Sequence, residues 1–358
     1  MSVSKRSFTL LVACGVFALV LFGIGCNPGS GGGNGAVSLH GAGATFPNPL
    51  YQKWMSEYGK LHPNVKIDYQ SIGSGGGIKQ IKDQTIDFGA SDSPMKDEDL
   101  KAAPGAILHI PTVLGAVVIT YNLEGVNQRL RFSPEVIADI FLGKIKVWND
   151  PKIAADNPGV TLPARDITVV HRSDGSGTSA VFTDYLSKVS PEWKEKVGAG
   201  VSPSWPVGLG GKGNEGVTGQ VKQTPNTIGY VELAYAVQNK LPVALIKNAS
   251  GNFIEPTIDS VTAAASASAG NTPDDLRVSI TNAPGQAYPI SSYTYILVYK
   301  EQKDAAKGKA LVDFLWWGIH DGEAFAKELQ YAPLPADIVK RAEGKINSIT
   351  AGGTPLRS

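Results

Sequence analysis

ITVVHRSDGSGTSAVFTDYLSK, residues 167–188, carries the fold class in one stretch. Ile167 to His171 is a short β-branched run that reads as a strand. Asp174-Gly175-Ser176-Gly177-Thr178 is a turn, and the chain beyond it to about Lys188 reads as a helix. A strand that passes through a glycine turn straight into a helix is the repeating unit of α/β folds.

The same texture extends in both directions. Upstream, Leu50, Trp54, Tyr58 and Leu61 fall at helical spacing, and Val65, Ile67 and Tyr69 alternate as in a strand. Ser71 to Gly77 reads as a glycine-rich turn, with Ile78 and Ile81 opening the next helix. Residues 86–90 form a short buried strand, and Ser93-Pro94 opens a helix. Leu108 to Tyr121 suits one or two central strands, and Ser133-Pro134-Glu135 caps a helix to about Lys144. Downstream, Tyr293, Tyr295, Leu297 and Tyr299 alternate with Thr294, Ile296 and Val298 as a strand; helical stretches follow near 303–318, 321–330 and 335–346. Residues 262–270 read as a surface loop or weak helix. Alternating strands and helices predict parallel sheets with crossover helices, and no solenoid repeat is present.

With 358 residues, 42% hydrophobic and 18% charged, the chain supports two cored lobes and is not disordered. Lys and Arg number 33 against 32 Asp and Glu, a net charge of +1. That balance gives no basic field for nucleic acid, so an anion would need a local site. Both cysteines, Cys14 and Cys26, lie in the leader; the body therefore has no disulfide, thiolate metal site or cysteine nucleophile. The five histidines (His40, His62, His109, His171, His320) show no helical metal-ligand spacing, and no metal or cofactor is expected.

Residues 1–25 read as an export signal: Lys5 and Arg6, then Phe8 to Gly25 without a charge. Gly-Ile-Gly before Cys26 resembles a bacterial lipobox, although Gly23 stands where Leu is usual. Leu11-Val12-Ala13-Cys14 fits that local pattern but leaves too short an apolar run, so Cys26 is the expected lipidation site. The other reading is an uncleaved anchor, since about 18 apolar residues can just span a bilayer. Residues 26–36, rich in Gly, Ser and Asn, form a tether either way. Both readings place the body outside the cytoplasm, at the periplasm or cell surface.

Four segments concentrate Gly, Ser, Thr and Asp: 41–47 (GAGATFP), 72–77 (IGSGGG), 88–92 (FGASD) and 171–178 (HRSDGSGT). Three of them precede helices. A helix start presents unpaired N–H groups and a positive dipole end, and glycine lets backbone approach an anion closely. Hydroxyls add rotatable donors, and Arg172 supplies a planar fork for an oxyanion. Each segment alone is ordinarily just a turn or a cap; the order and combination carry the information. Other chemistries fit less well. Gly175-x-Gly177-x-x-Ala180 lacks the acidic strand end of a dinucleotide site, because 190–196 reads as helix or turn. In the 208–216 loop Lys212 precedes Gly213 and not Ser or Thr, and Ser176 lacks a nucleophile-elbow context.

The chain resembles the periplasmic phosphate-binding proteins of bacterial phosphate ABC importers. GAGATFP at 41–47, IGSGGGIKQI at 72–81, DFGASDSPM at 87–95, LGKIKVWND at 142–150, RSDGSGTS at 172–179, WPVGLGGKGNEG at 205–216 and IGYVELAYA at 228–236 occur in the family's order across nearly the whole mature chain. His171 and Ser173 depart from it, standing where Arg and Ala are common. The resemblance implies a type II periplasmic-binding-protein fold of two α/β lobes joined by a two-strand hinge. Lobe one would comprise 37–113 and 287–358, lobe two 114–286, and the hinge strands would come from Leu108–Tyr121 and Tyr288–Tyr299. It implies a binding protein that is not an enzyme, a monomer that hands phosphate to a membrane permease and its ATPase. A secreted phosphate scavenger with no transporter is the alternative.

The same resemblance implies phosphate contacts from the Thr45 and Phe46 amides, the Thr45 and Ser74 hydroxyls, Arg172 oriented by Asp174, and Ser176, Gly177 and Thr178 at a helix start. Asp92 would accept a hydrogen bond from a protonated phosphate oxygen. Sulfate carries no proton near neutrality, so an acceptor-only carboxylate would reject it by about 10⁴–10⁵. At about −1.5 kcal/mol per heavy atom, five-atom phosphate reaches roughly −7.5 kcal/mol, a dissociation constant of a few micromolar.

Overall fold

The computed structural model describes residues 35–357. The signal, Cys14, Cys26 and most of the 26–36 tether lie outside the described residues. Eight strands build the main sheet: β1 (Val37–Gly43), β2 (Val65–Ser71), β3 (Phe88–Ser91), β4 (Ile107–Asn122), β5 (Thr168–Arg172), β6 (Leu209–Gly211), β7 (Thr227–Glu232) and β8 (Ser291–Tyr299). Their order is β2-β1-β3-β8-β4-β7-β5-β6.

The parallel pairing expected from the βα alternation holds on both flanks, where β1 pairs with β2 and β3, and β5 with β6 and β7. The centre departs from it. β8 enters antiparallel between β3 and β4, and β4 lies antiparallel to β7. Leu108 to Tyr121 lies within one strand of 16 residues, Ile107–Asn122, and not two. Its Ile107–Ala116 part pairs with β8 and its Val117–Asn122 part with β7, so one strand serves both flanks.

Helices cover the sheet with apolar faces. Asn48–Leu61 buries Leu50, Tyr51, Trp54 and Tyr58 and starts with Pro at its first turn. Trp54 and Tyr58 meet Phe314 from the Ala305–Gly318 helix edge-on. Phe141, Phe182 and Tyr230 form a second aromatic cluster under the β5–β7 flank. Each such side chain, fully buried, stabilises the fold by roughly 1.5–3 kcal/mol.

Several boundaries move. The helix expected to open at Ile78 already begins at Ser74, so Gly75, Gly76 and Gly77 are helical. Gly77 is there because a Cβ at that position would lie 2.7 Å from Gly43 Cα and 2.8 Å from the Ala42 and Ala90 carbonyls. Packing of the helix onto β1 and β3 outweighs the poor helix propensity of glycine. The helix expected at Ser93-Pro94 starts at Asp97, with Asp97, Glu98 and Asp99 in its first turn. The helix after Ser133 stops at Phe141. Residues 321–330 hold two 3₁₀ turns. Residues 262–268 belong to the Ile258–Ser268 helix, fixed by a Thr257–Ser260 capping box, and 269–270 to the 3₁₀ turn that follows it.

Candidate functional site

The four glycine- and hydroxyl-rich segments come together where β1, β3 and β5 end. Thr45 and Phe46 occupy the turn between β1 and the Asn48–Leu61 helix. Ser74 is the first residue of its helix, Asp92 follows β3, Arg172 ends β5, and Ser176 caps the Gly177–Val189 helix. β5 runs opposite to β1 and β3 in the sheet, so the strand ends and helix starts of the two flanks face each other and meet between them. Thr45, Ser74, Asp92, Arg172, Ser176 and Thr178 are all buried, none more than 3% exposed.

The two flanks touch directly. The Gly75 amide donates to the Gly175 carbonyl at 2.8 Å. Gly73 has φ +87°, and a Cβ there would stand 2.4 Å from Asp174 Oδ2. At Gly177 a Cβ would lie 2.2 Å from Ser74 Oγ and 2.5 Å from Asp92 Oδ2, so Ser74, Asp92 and the Gly177 helix start share one small volume. The Gly177→Ala variant is therefore expected to force the flanks apart and weaken anion binding at least a hundredfold. Titration calorimetry beside a thermal melt checks it; unchanged affinity would remove Gly177 from the site.

Arg172 reaches Asp174 through both ends of a fork: Nε donates to Oδ1 at 2.8 Å and Nη2 to Oδ2 at 2.6 Å. The Gly213 amide adds a bond to Asp174 Oδ1 at 3.0 Å. Burial pushes the Asp174 carboxyl up, but the Arg172 hydrogen bonds and charge, with the Gly213 amide, outweigh it and hold the pKa below its ordinary value. Arg172 Nη1 is buried with no hydrogen-bond partner among the described residues.

Asp92 is its counterpart. Oδ1 accepts from the Thr294 hydroxyl at 2.9 Å, whereas Oδ2 is buried without a partner. Burial pushes its pKa up to about 7, against the opposing effects of the Thr294 bond and the nearby Arg172 charge. The site thus offers one unused guanidinium donor, one unused carboxylate acceptor and the open end of the Gly177–Val189 helix. Unpaired buried polar atoms are rare and costly, and this pair matches an anion that also carries a proton.

The helix cap consumes part of Ser176. Its Oγ accepts from the Ser179 amide at 3.0 Å and its own amide donates to the Val201 carbonyl at 2.8 Å. Only its hydroxyl proton remains for a ligand. The Phe46 ring is fully buried and its carbonyl accepts from Tyr331 at 2.7 Å. His171 stacks on Trp205 at 4.9 Å, away from this chemistry.

Three residues that the sequence reading did not assign to the site join it. Thr294 holds Asp92 from β8, and the Tyr235 hydroxyl donates to the Thr45 carbonyl at 2.6 Å. Asn214, fully buried, bonds both Thr45 and Thr178. A threonine among aromatic residues of a strand buried on both faces was the available signal for Thr294. For Asn214 there was only its place at a glycine-rich helix start. Among the described residues no group of three or more His, Cys, Asp or Glu could hold a metal ion.

The PBP superfamily domain profile matches residues 28–316. The phosphate-binding protein PstS of Xylella fastidiosa (strain 9a5c) is 46% identical, over 96% of this chain and 98% of that protein. PstS of Methanocaldococcus jannaschii is 40% identical over 96% of each. A phosphate binding protein structure from Stenotrophomonas maltophilia superimposes with a TM-score of 0.68 at 19% identity, covering 89% of this chain and 97% of that one. The fold is thus the type II periplasmic-binding-protein architecture, and the chain belongs to the PstS family of phosphate-binding proteins within the PBP superfamily.

Proposed function

We infer that this protein binds inorganic phosphate in the cleft at Thr45, Ser74, Asp92, Arg172, Gly177 and Thr178 and delivers it to an ABC-type phosphate importer. One observation carries the reading: Asp92 Oδ2, beside the Gly177 helix start, and Arg172 Nη1, whose charge acts on Asp92, are an acceptor and a cationic donor that are both buried without a partner among the described residues. An oxyanion that keeps a proton can satisfy both. The PstS relatives, similar along the whole chain, favour the transporter-coupled role over a free scavenger.

Lobe one comprises 37–113 and 287–358 and lobe two 114–286. They open and close about β4 and the 288–299 crossing, and phosphate favours the closed form through contacts made from both lobes. The closed protein docks as a monomer on a permease and, through it, meets an ATPase. It turns over no substrate. No helix of the described residues is long and apolar enough to cross a membrane, and a lipid on Cys26 anchors the protein outside the cytoplasm.

Calorimetry on the mature protein at pH 8 tests the binding step: micromolar or tighter affinity for phosphate and none measurable for sulfate are expected. Small-angle scattering should show a smaller radius of gyration with phosphate. Failure to bind phosphate overturns the reading; identical scattering curves overturn the closure.

A further inference from the structure

We propose that Asn214 is a positioning residue that sets the hydroxyl protons of Thr45 and Thr178 toward the bound anion, and so makes both threonines donors. The inference rests on the phosphate reading above and adds to it a residue that touches no ligand.

Asn214 sits at the start of the Gly213–Gln223 helix and is completely buried. Its Oδ1 accepts from the backbone amide of Glu232 at 3.0 Å. A backbone N–H can only donate, so the side-chain amide cannot be flipped, and Nδ2 must face the other way. There its two protons go to Thr45 Oγ1 at 2.7 Å and Thr178 Oγ1 at 3.1 Å. The Asn214 backbone amide also donates to Thr45 Oγ1, at 3.2 Å.

Thr45 Oγ1 therefore receives two donors, which occupy both of its lone pairs, and its only remaining capacity is its own proton. Thr178 Oγ1 receives one donor and is likewise barred from giving its proton to Asn214. The two threonines lie far apart in the chain, one in the turn after β1, the other in the first turn of the Gly177–Val189 helix. A free hydroxyl rotor spends part of its time with a lone pair toward an incoming anion. Here that orientation is removed before the ligand arrives, which is preorganisation in the sense that lowers the cost of binding.

Asn214→Asp tests this, because a carboxylate in the same place accepts and would draw both hydroxyl protons to itself. Phosphate affinity measured by calorimetry is expected to fall about a hundredfold or more. Added negative charge alone would also weaken binding, so the deciding measurement is a double-mutant cycle with Thr45→Val. In the wild-type background Thr45→Val is expected to cost about ten- to a hundredfold, one charge-assisted hydrogen bond. In the Asn214→Asp background it should cost less than about threefold, since the hydroxyl no longer faces the anion. Losses that multiply across the cycle, or an Asn214→Asp protein that binds like wild type, would overturn the proposal. Should Asn214→Asp not fold, the same cycle on Asn214→Ala decides. The Thr45→Val loss should shrink several-fold there, and an undiminished loss overturns the proposal. Wild-type protein that fails to bind phosphate would overturn the parent reading instead.

Discussion

Asp92→Asn should convert the protein into one that binds sulfate nearly as well as phosphate. In the wild type at pH 8 the carboxylate is ionised, and its unpartnered Oδ2 can only accept. Sulfate brings no proton, so it would leave that oxygen unpaired against like charge, and exclusion by about 10⁴–10⁵ is expected. An asparagine in the same place can turn an N–H to either anion, and the ratio should collapse to within about tenfold. Wild-type selectivity should itself depend on pH. Because the Asp92 pKa lies near 7, the group becomes neutral below that pH and gains an O–H to donate. Sulfate affinity of the wild type should therefore climb as pH falls from 8.5 to 5.5, whereas that of Asp92→Asn stays flat. Competitive titration of the two anions at both pH values measures this; continued rejection of sulfate by Asp92→Asn would show that the carboxylate is not the discriminating group.

The same residue is a cost to the empty protein. Its folded pKa is raised from 3.8 to about 7, so its contribution to stability is full below about pH 4 and is lost as pH rises to about 7. The loss reaches at most about 4 kcal/mol. A selective carboxylate is kept in spite of this, as is common where function and stability pull apart.

Removing the guanidinium should be the most damaging single change to phosphate affinity. Arg172→Met is expected to lower it by about thirtyfold to several thousandfold, as truncating one partner of a buried, hydrogen-bonded charge pair costs about 2–5 kcal/mol. Asp174, only partly buried, would then be left without its fork, so the protein should also lose about 1.5–3 kcal/mol of stability. Adding Asp174→Asn should restore most of that stability and none of the binding, which separates the two roles. Arg172→Lys should fall between, since one ammonium cannot hold both Asp174 oxygens and still reach the anion. Calorimetry and urea unfolding on the three variants report both quantities; Arg172→Met within tenfold of wild-type affinity would exclude the guanidinium from the site.

Much of the fold was legible because it is written locally. The alternation at Val65–Tyr69 and Tyr293–Tyr299 gave β2 and β8, and the 167–188 stretch gave a strand, a turn and a helix. What was not legible depends on partners distant in the chain. Nothing near Ser291 says that its strand lies antiparallel beside Ser91, and nothing near Gly75 says that its helix is held by β1 and β3. The site divides in the same way. Hydroxyls and glycines at helix starts could be picked out from their neighbours, but Asn214 acts through Thr45, and Thr294 through Asp92. Those links cross most of the sequence and leave no spacing to read.

The position of β8 also sets the order in which the molecule can assemble. Its nine residues fill the gap between β3 and β4, near the far end of the chain from both. Until Tyr299 has left the ribosome, the sheet lacks the strand that joins β3 to β4 and two backbone edges stay open. High contact order of this kind makes folding slow. For a chain exported as proposed above, delay is useful: a nascent protein that cannot close early remains threadable through a translocation channel, and it becomes rigid only on the side of the membrane where its cargo is found.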